Sequence, residues 1–77
     1  MSAEGLAGAR MAKHSIVIAG HRTSISLEDA FWSALRAIAL SRGQSLAGLV
    51  AEIDAGRGVA NLSSAIRVFT LQQAQAK

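Results

Sequence analysis

The stretch Arg22-Thr23-Ser24-Ile25-Ser26-Leu27-Glu28-Asp29 decides how the rest of the chain is read. Thr23, Ile25 and Leu27 alternate with Arg22, Ser24 and Ser26, the period of two that turns apolar side chains to one face of a strand and polar ones to the other. Asp29 stands three residues beyond Ser26, a near capping box, so the spacing predicts a helix from about Leu27. Glu28 and Asp29 then fall in the first turn, where the helix dipole favours negative charge. Leu27, Phe31, Leu35 and Ile38 recur at helical spacing, widened by Ala34, Ala39 and Trp32, and Arg42 followed by Gly43 supplies a cation and a glycine stop.

Towards the C-terminus, Ser45 can cap a second helix whose apolar face is Leu46, Leu49, Val50 and Ile53. The stretch from Asp54 to Asn61, with Gly56 and Gly58, reads as a loop. Asn61 or Ser63 can cap a third helix carrying Leu62, Ile66 and Phe69 inward, with Val68 and Leu71 beside them. Gln72 to Lys77 has no apolar pattern and is expected to fray.

Towards the N-terminus, β-branched residues dominate and two readings stand open. In one, Ser15–Ile18 and Thr23–Ser26 form a hairpin around Ala19, Gly20, His21 and Arg22, with Gly20 supplying the turn. In the other, only Arg22–Leu27 is a strand, and it pairs with the same strand of a second copy. Residues 1–12 are small and unpatterned and are expected to be a disordered arm, which leaves a domain over 13–71 and a frayed tail over 72–77.

A chain of 77 residues has a small core, and with no cysteine it has neither disulfides nor thiolate zinc sites to support it. Its residues are 51% hydrophobic and 17% charged, more apolar side chain than so small a monomer hides, so a homo-oligomer is expected. No run approaches the roughly 20 apolar residues that cross a bilayer. The first residues lack a signal-peptide pattern, so the expected location is the cytoplasm, with no membrane partner. The net charge is +3, and between Gly5 and Leu27 lie Arg10, Lys13, His14, His21 and Arg22 without a carboxylate. A locally basic segment of this kind suits an acidic partner such as nucleic acid.

Catalysis has little to stand on. Cysteine and tyrosine are absent, the two histidines have no serine or carboxylate at triad spacing, and Glu28 and Asp29 are explained by a helix start. No enzyme activity and no cofactor is expected. His14 and His21 make an incomplete ligand set, so no metal is expected either. Gly56-Arg57-Gly58 lacks the preceding strand and following lysine of a phosphate loop. Phe31, Trp32 and Phe69 are expected to pack in the core, with Trp32 at a subunit interface or against the third helix.

The order of strand, capped helix, glycine stop and second capped helix, carried by Arg22-Thr23-Ser24-Ile25-Ser26-Leu27-Glu28, Phe31-Trp32, Leu35 and Arg42-Gly43-Gln44-Ser45-Leu46, resembles the ribbon-helix-helix family of bacterial DNA-binding proteins over Arg22 to Ile53. Lys13-His14-Ser15, Gly20-His21-Arg22-Thr23-Ser24 and Asn61-Leu62-Ser63-Ser64-Ala65-Ile66-Arg67-Val68-Phe69 extend the likeness over Lys13 to Leu71, to a group of short bacterial proteins with this domain. The resemblance implies a mainly α fold with one short β-strand. It further implies an intertwined homodimer with an intersubunit antiparallel ribbon, and here an additional C-terminal helix. The implied dimer core is Thr23, Ile25, Leu27, Phe31, Leu35, Ile38, Leu49, Val50 and Ile53.

Arg22, Ser24 and Ser26 would face bases in the major groove of double-stranded DNA, and backbone N–H groups at Gln44, Ser45 and Leu46 would hold a phosphate. Arg10 and Lys13 would add phosphate contacts from the arm. The implied function is a bacterial repressor-like transcriptional regulator. Serine bonds to several bases and discriminates poorly, and the third helix exceeds the minimal fold. The alternative is therefore a dimeric protein-interaction module or an antitoxin-like protein, for which the tail from Gln72 is short.

Overall fold

The computed structural model describes residues 6–76. Its elements run β1 (Met11–Ile18), β2 (His21–Glu28), α1 (Asp29–Ser41), α2 (Leu46–Gly56) and α3 (Leu62–Gln75). The expected single strand is corrected to two, paired antiparallel within the chain from Ile18 opposite His21 down to Met11 opposite Glu28. Of the two strand readings, the structure adopts the hairpin, and it extends that hairpin to eight residues a side.

The reversal is made by Ala19 and Gly20, with φ of 52° and 81°. Positive φ at both central residues is the signature of the type I′ turn, whose twist matches that of the strands it joins. Ala12, His14, Ile16 and Ile18 of β1 share the inward face with Thr23, Ile25 and Leu27 of β2, while the intervening residues are mostly exposed.

The arm expectation is corrected where it can be compared. Residues 1–5 lie outside the described residues, but the peptide carbonyls of Gly8 and Arg10 accept from Ala30 N and Asp29 N at 3.0 and 2.8 Å. These carbonyls satisfy two of the N–H groups that every helix start leaves without an intrahelical partner. Accordingly α1 begins at Asp29 and not Leu27, its N-cap Glu28 makes no side-chain cap hydrogen bond, and Ser26 is a strand residue. Gly8 has φ 82°, and a Cβ there would sit 2.8 Å from Ala30 Cβ.

Two further starts follow the sequence reading. Ser45 Oγ accepts from Gly48 N and Asn61 Oδ1 from Ser64 N, capping α2 and α3. Gly43 takes φ 67° just beyond α1, the left-handed position a glycine stop requires. The tail expectation is corrected too, since α3 continues through Gln75; Lys77 is outside the described residues.

The hairpin lies over the helices, with α2 against β1 and with α1 and α3 against β2. Ile25, Leu27, Leu35, Leu49, Val50 and Ile66 are 2% exposed or less, with Ile18, Ala39 and Ile53 completing the core. Ile25, Leu27, Leu35, Leu49, Val50 and Ile53, read from the sequence as a core shared by two chains, are thus enclosed by one. Thr23, Phe31 and Ile38 are half-buried at its margin, and Val68 and Leu71 are exposed rather than inward.

Trp32 is half-buried and packs at the edge of the core. It stacks on His14 of β1 with ring centroids 3.9 Å apart and planes 7° from parallel. The stack fastens the hairpin to α1.

Candidate nucleic-acid interface

The hairpin's outward face is built by strand alternation alone. Lys13 lies opposite Ser26, Ser15 opposite Ser24 and Val17 opposite Arg22, and all six side chains are exposed. The three outward residues read from the sequence, Arg22, Ser24 and Ser26, therefore do share one face. The other half of that face comes from β1 of the same chain: Lys13, read from the sequence as an arm contact, and Ser15 and Val17, which sequence reasoning did not name as site residues. The signal was present as exposed odd-numbered positions from Met11 to Val17, but it shows only once β1 is paired.

Charge on this face is one-sided. Among the described residues, Arg10, Lys13 and Arg22 are in no ion pair, and His21 is exposed beside the turn. Within β1 and β2 the one carboxylate is Glu28, with Asp29 following at the start of α1, and Glu28 is occupied: Arg67 Nε and Nη2 donate to its two oxygens at 2.8 and 3.3 Å. This fork of hydrogen bonds, followed by the backbone N–H of Glu28 itself, holds the carboxyl below its ordinary pKa. Nearby, Ser63 Oγ donates to Ser26 O at 2.8 Å, so α3 braces β2 where the ribbon meets the helices.

The ribbon's size suits a groove. Eight residues a side give about 26 Å of length, and two strands about 5 Å apart fit within the roughly 12 Å width of a B-DNA major groove. Successive cross-strand rungs lie about 6.7 Å apart, close to two base steps.

The phosphate reading at the start of α2 calls on backbone N–H groups, and that of Gln44 already donates to Ala39 O at 2.9 Å. Gln44 donates its side-chain amide to the carboxylate of Glu52, Ser45 is engaged as the cap, and Leu46 packs against the core. A phosphate there would meet only backbone N–H groups and would approach a carboxylate. Of the remaining candidates, His14 is held against Trp32 and His21 is exposed, and no group of three or more His, Asp or Glu side chains able to hold a metal occurs among the described residues.

On the helical side, an apolar groove between α2 and α3 is lined by Leu49, Ile53, Ala60, Ala65, Val68 and Phe69. Arg42 lies over the Phe69 ring, 5.2 Å from its centroid, and reaches Gln73 at 3.2 Å, linking α1 to α3. No helix among the described residues is long and apolar enough to cross a membrane.

With this geometry in place, comparison with known families is informative. The ribbon-helix-helix domain matches residues 11–74, and the chain belongs to that family. The match takes in the whole hairpin and nearly all of α3. Comparison with curated proteins gave no match, and neither did comparison with solved structures.

Proposed function

We propose that the protein is a DNA-binding transcriptional regulator that lays the outward face of its hairpin in the major groove. The observation that carries this reading is the juxtaposition of Lys13, Arg22 and Arg10 around a short polar ribbon whose single carboxylate is already paired. Phosphates attract the cations, and the exposed side chains between them face the bases. The role is one of binding rather than catalysis, in the bacterial cytoplasm, and repression is its expected outcome.

Dimerisation belongs to this reading. A second copy has two surfaces open to it: the outer edge of β2, which the two-stranded sheet leaves unpaired, and the helical side, where the α2–α3 groove and the exposed Val68 and Leu71 leave apolar surface uncovered. That same groove favours the second reading, a protein-interaction module on this scaffold.

The test is a titration of labelled duplex DNA across a salt series. Two phosphate-facing cations, Arg10 and Lys13, give a loss of roughly 1.8 log units of affinity per decade of salt, and Arg10→Gln or Lys13→Gln each lowers that slope by about 0.9. No binding to duplex at low salt, or slopes unmoved by both variants, overturns the DNA reading.

A further inference from the structure

The outer edge of β2 is not wholly bare. Ladder bonds in an antiparallel pair fall on alternate residues, and Asp29 N donating to Arg10 O at 2.8 Å, one step beyond Met11 opposite Glu28, fixes which ones. Counting back in twos, Leu27, Ile25, Thr23 and His21 bond to β1, so the backbone N–H and C=O of Arg22, Ser24 and Ser26 point to the free edge. One of these groups already has a partner. Ser63 Oγ donates to Ser26 O at 2.8 Å. One turn along the same face of α3, Arg67 grips Glu28, two residues beyond Ser26. The spacings agree, since four helical residues rise about 6 Å and two strand residues about 6.7 Å. α3 is thereby fastened along the α1 end of β2.

The occupant that suits this edge is a second β2. The outward groups recur evenly at 22, 24 and 26, so two such edges laid antiparallel about Ser24 satisfy each other, with Arg22 of one copy opposite Ser26 of the other. The two arginines then stand four residues apart along the ribbon, about 13 Å, beyond the reach of unscreened repulsion at physiological salt. In that pairing the acceptor for the second copy's Arg22 N–H is Ser26 O, the carbonyl that Ser63 holds. We propose that Ser63 is a latch on the pairing edge: α3 occupies the acceptor that a second β2 must use, and two chains join as this contact releases.

The experiment is sedimentation equilibrium of the full chain over a concentration series, for the wild type, Ser63→Ala and Ser63→Thr. One ordinary hydrogen bond changes an equilibrium constant about fivefold, and a symmetric dimer opens two latches, so Ser63→Ala dimerises roughly thirtyfold more tightly. Ser63→Thr keeps the hydroxyl and dimerises as the wild type does. Amide hydrogen exchange on the wild-type protein needs no variant to fold. The N–H groups of Arg22 and Ser24, which face the free edge, gain protection as concentration rises.

Unchanged or weaker dimerisation of Ser63→Ala overturns the latch. A dimer in which Arg22 and Ser24 stay unprotected, or a chain that is monomeric at every concentration in all three forms, overturns it as well. Failure to bind duplex DNA moves none of these readouts, so the latch and the DNA reading stand or fall separately.

Discussion

The intramolecular turn makes a quantitative demand on two residues. Ala19 carries φ 52°, a conformation in which its Cβ is crowded by the following carbonyl oxygen, at a cost of about 1–2 kcal/mol. Asparagine tolerates this region through its short polar side chain, and Asn-Gly is the favoured pair for a type I′ turn. Ala19→Asn therefore recovers about 1 kcal/mol, which for a domain of this size raises the melting temperature by roughly 4–8 °C.

Gly20 is the internal control. Its φ is 81° and nothing lies within 4 Å of where a Cβ would be, so Gly20→Ala tests backbone conformation without a clash. It should lower stability by about 1–2 kcal/mol. Thermal melts followed by far-ultraviolet circular dichroism measure both. If β2 instead paired only with another copy, residues 19 and 20 would be free of the turn. Ala19→Asn would then be neutral, Gly20→Ala would be neutral or stabilising, and the cis hairpin would be refuted.

Two other consequences follow from the contacts around α1. Gly8→Ala drives a Cβ to 2.8 Å from Ala30 Cβ at a positive φ, and denaturant unfolding should show a loss of about 1–2 kcal/mol; an unchanged midpoint would show that residues 8–10 do not dock. Glu28 has a folded pKa below its ordinary 4.5, so its link to Arg67 stabilises the fold above that value and is lost as pH falls through the folded one. Glu28→Gln should accordingly be less stable than wild type at neutral pH, with the gap closing in acid below about pH 4.5; a gap that does not change with pH would remove the ion pair from the account.

Much of this was legible in the sequence, for local reasons. Ser45 and Asn61 each precede an aliphatic helical face and carry the short polar side chain that caps it, and Gly43 sits at the one position where a left-handed residue ends α1. The family resemblance likewise stood on element order, which local patterns record. The start of α1 was harder because Leu27 fits both periods, two beyond Ile25 and four before Phe31. The choice was made by carbonyls of Gly8 and Arg10, whose approach is a tertiary event.

The hairpin was obscured by its turn, since Ala-Gly lacks the polar residue that announces a type I′ reversal. The Met11–Ser15 half of β1 alternates in exposure but hardly in hydrophobicity. The position of Trp32 against His14 had no local signal at all. For the interface, Arg22, Ser24 and Ser26 could be placed on one face by periodicity, whereas Lys13, Ser15 and Val17 joined them only through strand pairing.

Which surface meets DNA can be read residue by residue. Isotope-labelled protein titrated with a short duplex at low salt, and followed by amide chemical shifts, should show its largest changes at Lys13, Ser15, Val17, Arg22 and Ser24. Shifts confined to Leu49, Ile53, Ala65, Val68 and Phe69, with the hairpin silent, would contradict the ribbon's role and transfer recognition to the groove between α2 and α3.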